Sequence, residues 1–258
     1  MKNFCFTVDD NIRFFKELVE GSFESIFEHP YLALYKRLHE KFGLKVQLNL
    51  FYECEGFDLS RMTDRFFSEW EANSDWLKLS FHSRLENVKP YISSGYEEVF
   101  EDCRKVHREI LRFASPSALA RTTTVHYCLA TAEGLRALSD NSIEGLLGLY
   151  GDEGSPRSSY LNTPEQCERI RKGEAVPHGG IAYGCIDVVL NRFSTEENLR
   201  KLNGLSHKNT IRVMIHEQYF YPDYRHYQSD FEEKLTAVFA YLTENGYVSE
   251  FFENELTG

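Results

Sequence analysis

The sequence predicts an α/β protein, a distorted (β/α) barrel of seven or eight mostly parallel strands. Three observations lead there. Strand-like and helix-like stretches alternate from one end of the chain to the other, the pattern of parallel sheets with crossover helices. The 258 residues contain no convincing linker, internal repeat or low-complexity segment, so a single barrel domain over 1–258 accounts for them. No Gly-x-Gly-x-x-Gly follows the first strand and no P-loop occurs, which removes the usual marks of an open nucleotide-binding sheet.

The first strand is Phe4-Cys5-Phe6-Thr7-Val8-Asp9-Asp10-Asn11, an apolar run that delivers two carboxylates where it ends. Neighbouring strand residues point to opposite sides, so one acid is free to ligate an ion while the other turns toward substrate. The plainer alternative is an Asp pair capping the helix that follows. That helix is expected from Asn11 to about His29, with Ile12, Phe15, Leu18 and Val19 on one face. A second runs from Tyr31 to Phe42, closed by Gly43. Leu44 to Tyr52 alternates apolar and polar residues as a strand does. A helix from near Ser60 to Asn73 and a strand from Leu77 to Phe81, ending at His82-Ser83, come next. Tyr96 to Arg112 is a long amphipathic helix, and Thr122 to Tyr127 is β-branched and strand-like.

The alternation continues with a short helix over Thr131–Ser139 and a buried strand over Ile143–Tyr150. Gly151 to Gly180 is rich in Gly, Pro, Ser and charge, with a helical piece near Glu165 to Lys172, and reads as a long excursion. Strand Ile186–Leu190, helix Thr195–Leu202 and strand Ile211–His216 follow. Helix Phe231–Asn245, ended by Gly246, leads to a last short strand, Tyr247–Phe252.

Composition narrows the function. A hydrophobic content of 42% supports a sizeable core, and a formal charge of −11 argues against non-specific binding to nucleic acid or anionic membrane. No run approaches the roughly 18 apolar residues of a membrane span and no apolar signal core opens the chain, so the expectation is a cytoplasmic protein. The six cysteines form no Cys-x-x-Cys pair and fit neither a zinc ribbon nor a disulfide framework.

In a parallel barrel the strand ends share one face, and active sites form there. Asp9 and Asp10 end the first strand, His82 the third, and His216 the strand near the C-terminus. His126, Tyr127, Asp152, Glu217 and Tyr219 fall at the same level and are read as substrate contacts. His82 and Glu86 are four residues apart, so on a helical turn both reach one ion. Carboxylate with imidazole suits a divalent metal, zinc first, with cobalt, nickel and manganese also accommodated. Each residue also has a structural reading taken alone: His82 bonded to backbone, Glu86 solvated, His216 a satisfied core histidine.

Thr7-Val8-Asp9-Asp10-Asn11, His82-Ser83-Arg84-Leu85-Glu86 and Ile215-His216 occur in an order and spacing that resemble the polysaccharide deacetylases, the chitooligosaccharide-deacetylase-like domain of family four carbohydrate esterases. The resemblance covers essentially the whole chain and implies a distorted (β/α) barrel. It implies Asp9 as catalytic base, Asp10 as metal ligand, His82 and position 86 as two further ligands, and His216 as catalytic acid. Asn11 stands where the family has Gly, a substitution suited to a left-handed backbone. Glu86 stands where the family has a second metal-binding His. Arg112-Phe113-Ala114-Ser115-Pro116 is only a distant counterpart of the family's Arg-x-Pro motif.

The expected function is a metal-dependent hydrolase that removes an acyl group, acetate above all, from an N-acetylated sugar or a related linear amide. Two alternatives remain open: a barrel with an eroded site that serves as a binding or regulatory protein, and a glycoside hydrolase using paired carboxylates. The partner is a small carbohydrate or amide substrate. The oligomeric state is not set by the sequence.

Overall fold

Strand β1 (Lys2–Asn11) is buried from Phe4 onward, the mark of a central strand covered on both faces. The computed structural model describes residues 2–86, 91–151 and 159–256. Helix α1 (Arg13–Glu20) stops well short of His29, because Gly21 leaves the helical conformation and the chain passes through a 3₁₀ turn at Ile26–Glu28. Helix α2 (Pro30–Phe42) has Pro in its first turn and ends on Gly43, whose φ of 64° lets its N–H return to His39. Strand β2 (Val46–Cys54) and the two-residue β3 (Phe57–Asp58) form a hairpin. The helix expected from Ser60 breaks into two 3₁₀ turns before α3 (Phe67–Ala72).

Strand β4 (Leu77–Leu85) runs four residues beyond its expected end, so His82 lies inside it. Helix α4 (Tyr96–Phe113) packs on β4 and on the following helix, and buries Val99, Cys103, Val106 and Ile110. Strand β5 is only Thr122–Thr123, because left-handed residues at Tyr127 and Cys128 turn the chain out of the sheet. Helix α5 (Ala132–Asp140), strand β6 (Gly145–Gly148) and helix α6 (Pro164–Arg171) follow. The latter part of the expected excursion is built into a sheet as β7 (Val176–His178), which pairs with β8 (Ile181–Cys185) just beyond it, and β9 is Val188–Val189. Helix α7 (Thr195–Gly204) starts with a Ser194/Glu197 capping box. Strand β10 (Thr210–His216), helix α8 (Phe231–Glu244), strand β11 (Tyr247–Ser249) and a short helix α9 (Phe252–Glu255) complete the chain.

The main sheet has the order β4–β2–β1–β10–β9, all parallel, with β11 alongside the start of β1. In the second sheet β5, β6 and β8 are parallel and β7 antiparallel. Two seams join them. A parallel bridge pairs Leu79 with Leu119. On the other side the chain crosses directly from β8 to β9, with the Ile186 N–H donating to Gly148 and the Asp187 N–H to Arg212, both at 2.8 Å. First and last strands are thus neighbours, and the architecture is a distorted (β/α) barrel.

The bottom of the barrel is plugged by α9. Gly145 and Gly184 lie so close to Phe252 that an added Cβ would sit 2.9 Å from its ring. Beside it Arg212 is buried against Glu255 and stacks on Phe252. No helix of the described residues is long and apolar enough to cross a membrane.

His107 is buried on α4, its Nε2 3.6 Å from the Cys103 sulfur, and burial pushes its pKa down to about 4. An unfolded chain takes up that proton near pH 6.5. Stability contributed above pH 6.5 is therefore lost as pH falls through the window from 6.5 to 4, by up to about 3 kcal/mol. Denaturant titrations should show that His107→Gln removes this component, narrowing the stability difference between pH 7 and pH 4.5. An unchanged difference would mean that His107 is protonated in the fold.

Candidate metal centre and active site

The site begins with a break in regularity. Asp10 has a φ of 65°, and the β1–β2 register shifts between Val8 and Asn11. The strict alternation expected from sequence is interrupted there, and Asp9 and Asp10 line the same cavity. Asn11, expected to carry the left-handed backbone, does not. Its side chain instead clamps the kink: Nδ2 donates to Val8 O at 2.6 Å and Asn49 O at 3.1 Å, and Oδ1 accepts from Tyr31 at 2.7 Å.

Three possible ligand atoms converge above β1. His82 Nε2 lies 3.0 Å from Asp10 Oδ1 and 3.0 Å from His126 Nδ1, and His126 Nδ1 lies 3.3 Å from Asp10 Oδ1. Among the described residues this is the one cluster of three buried His, Cys, Asp or Glu side chains with metal-ligand spacing. His82 Nδ1 donates to the carbonyl of Thr124, so Nε2 is the nitrogen that bonds Asp10 and that, once deprotonated, offers its lone pair to an ion. A tetrahedral ion with bonds of about 2.0–2.1 Å spaces its ligand atoms about 3.3 Å apart. The donor set and its spacing fit a divalent cation. Asp10 Oδ2 is held by Gln218 Nε2 at 2.7 Å, so Oδ1 is the oxygen aimed at the cluster.

The electrostatics follow from burial. It opposes ionisation of Asp10, but the hydrogen bonds from His126 and His82 hold that carboxyl well below its usual range. Burial pushes Asp9 up to about 6, against the opposing pull of His82 and the Asn49 amide. His126 and His216 are both held below the ordinary histidine range by burial. His216 Nδ1 donates to Asn191 Oδ1 at 2.8 Å, which leaves Nε2 available on the ring's other edge. These groups share a cavity of about 270 Å³ that is also lined by Glu86, Tyr127, Arg192, Tyr219 and Tyr224.

The structure thus brings together Asp9, Asp10, His82, His126, His216, Tyr127 and Tyr219. Glu86 lines the cavity but stands outside the three-residue cluster. The helical spacing expected for His82 and Glu86 is absent, because β4 stays extended to Leu85. Of the aromatic run after His216, Tyr219 faces the cavity while Phe220 and Tyr221 pack against Tyr31. Arg112 bonds backbone carbonyls at Leu59, Ser60 and Met62 and does not reach the site. Asp152 lies outside the described residues. Asn49, Gln218 and Asn191, which orient Asp9, Asp10 and His216, are not singled out by the sequence; polar residues at barrel-facing strand positions are the signal that marks Asn49.

No protein-family model matches the chain, and no curated protein matches it. Solved structures do match its fold. A family 4 acetyl xylan esterase from Clostridium thermocellum, in complex with a cobalt ion, is 10% identical with a TM-score of 0.56, over 99% of this chain and 91% of that one. A peptidoglycan N-acetylglucosamine deacetylase is 10% identical with a TM-score of 0.50, over 98% of this chain and 87% of that one. A 4-alpha-glucanotransferase from Thermococcus litoralis is 13% identical with a TM-score of 0.60, over 99% of this chain and 40% of that one. At these identities the likeness is one of fold alone: the chain shares its distorted barrel with the acetyl xylan esterase and the N-acetylglucosamine deacetylase.

Glu217 corrects the sequence reading most sharply. Expected at the substrate, it is fully buried, and its carboxylate accepts the N–H groups of Ile12, Arg13 and Phe14 at 2.7–2.9 Å. Helix α1 has no side-chain cap of its own, so Glu217 caps it from the end of the neighbouring strand β10. Glu217→Ala should destabilise the fold by about 2–4 kcal/mol in denaturant titrations, since it strands three backbone donors, two of them buried. Glu217→Gln, which keeps one acceptor oxygen, should cost less. A loss under 0.5 kcal/mol for the Ala variant (~0.5 is the usual surface value) would show that the cap carries no weight.

Proposed function

We propose that this chain is a divalent-metal-dependent hydrolase that releases an acyl group, acetate above all, from an N-acetylated sugar or a related linear amide. One observation carries the reading: Asp10, His82 and His126 form a cluster of metal-ligand spacing in the same cavity as Asp9 and His216. The fold likeness to an acetyl xylan esterase and an N-acetylglucosamine deacetylase supports it.

Asp10, His82 and His126 would hold the ion, zinc first, with cobalt, nickel or manganese as alternatives. A divalent ion bound there supplies a Lewis acid to the acyl carbonyl and to the attacking water. Asp9 takes the proton from that water, its Oδ1 fixed by Asn49 and its other oxygen free to act. His216 carries the proton for the departing amine on Nε2, since Nδ1–H is committed to Asn191. Burial disfavours the charged ring, which makes His216 a willing donor once protonated. Tyr127, Tyr219 and Tyr224 offer faces against which a sugar ring packs.

Glycoside cleavage, the chemistry that the name of the glucanotransferase suggests, is less well supported. It needs two working carboxylates, and Asp10 is already engaged by two histidines and Gln218.

The test combines metal analysis with acetate release. Purified protein supplied with zinc or cobalt should hold about one equivalent and release acetate from an N-acetylated amino sugar. His126→Ala should weaken metal binding at least tenfold, whereas Glu86→Gln should retain it. Asp9→Asn should keep the metal and lose about 10²–10⁴ in kcat. Undiminished metal binding by His126→Ala removes the ligand set, and wild-type turnover by Asp9→Asn removes the base.

A further inference from the structure

On the barrel-facing side of β2, Gln47 and Asn49 are two residues apart and so share one face of the strand. Both are closed off from solvent, at 2% and 0% exposure. They link the start of β5 to Asp9 through an unbroken chain of hydrogen bonds. Thr122 Oγ1 donates to Gln47 Oε1 at 2.9 Å, and Gln47 Nε2 donates to the Thr122 carbonyl at 2.9 Å. Gln47 Nε2 also donates to Asn49 Oδ1 at 2.7 Å, and Asn49 Nδ2 donates to Asp9 Oδ1 at 2.7 Å.

The direction of this chain does not depend on how either amide is assigned. A backbone carbonyl can only accept, so the Thr122 carbonyl demands the nitrogen of Gln47. That nitrogen then faces Asn49 and demands its oxygen. The nitrogen of Asn49 is left to face Asp9. A carboxylate accepts this bond in either oxygen, but only as an acceptor, so every partner in the chain is satisfied in one sense and frustrated in the other.

We infer that Thr122, Gln47 and Asn49 form a directional amide relay that tethers one oxygen of Asp9 and leaves the other to work in the cavity. The inference rests on the proposed role of Asp9 as base, and it makes Asn49 a positioning residue. Arg112 is engaged elsewhere, and no Lys or Arg is hydrogen-bonded or ion-paired to Asp9 among the described residues. A neutral amide fixes the carboxylate's direction without placing a full positive charge against it.

Two variants and two readouts test the relay. Asn49→Leu keeps the number and branching of side-chain heavy atoms and removes the donor. Gln47→Glu keeps the acceptor for Thr122 Oγ1 but, as a carboxylate, has no hydrogen to donate to Asn49. Each should lower kcat at least tenfold with KM and metal content changed less than twofold, a split that a general loss of structure would not produce. In asparagine-labelled protein the Asn49 side-chain amide should exchange slowly with solvent, and its resonances should move in both Gln47→Glu and Asp9→Ala. If the wild type releases no acyl group from any substrate, the proposed activity fails while the amide resonances still decide the relay. Wild-type kcat in folded Asn49→Leu, or an Asn49 amide indifferent to Asp9→Ala, would overturn it.

Discussion

The left-handed kink at Asp10 is the constraint on which the upper face of the barrel depends. Two consecutive residues of a regular strand point to opposite sides, and a barrel strand that obeyed this rule would give the cavity only one of its two acids. A φ of 65° at a residue with a side chain costs roughly 1–2 kcal/mol. The surroundings hold it in place: Asn11 bonds the backbone on both strands at the register shift, Tyr31 fixes Asn11, and Gln218 fixes Asp10 itself. Strain concentrated at one residue and over-determined by its neighbours is the pattern expected of a functional site.

Burial and hydrogen bonding then separate two carboxylates that sequence leaves alike. Asp10 receives both histidines and an amide and stays ionised, whereas Asp9 receives one amide in a drier setting and holds its proton more readily. Pairs of acids whose environments push them apart are how one site supplies different roles from the same side chain. Two of the three histidines are each fixed at one ring nitrogen by an acceptor outside the cluster. His82 bonds the Thr124 carbonyl and His216 the Asn191 amide oxygen.

Much of this architecture was legible in the sequence, because helix periodicity and caps are local signals. The α2 stop at Gly43 and the α7 start at Ser194 need nothing beyond their own neighbourhood. The site was legible in part, since strand ends carry the chemistry in any parallel barrel. His126 joins the His82 cluster because left-handed residues just after it fold the chain over the cavity, and no periodicity announces that turn. Glu86 looked like a ligand because four-residue spacing matters on a helix, but the strand continued. Gln47 and Asn49 were not marked by the alternation of β2 for an equally physical reason. Alternation distinguishes two faces of a strand without saying which one meets water, and in a barrel neither does.

The two ends of the barrel handle buried charge in opposite ways. At the floor Arg212 meets Glu255 and Lys208 meets Asp187, each charge matched by its opposite, and aromatic packing under Gly145 and Gly184 closes the space. At the mouth Asp9 and Asp10 stand side by side with no ammonium or guanidinium bonded to either among the described residues, and imidazoles and amides face them across an open cavity. Like charges taken out of water are costly unless protons or a cation balance them. The charges at the floor therefore balance one another, and the mouth is arranged so that an added positive charge lowers its energy. That asymmetry explains why the acids survive in so dry a position, and why Asp10, the more fully ionised of the two, is also the one both histidines surround.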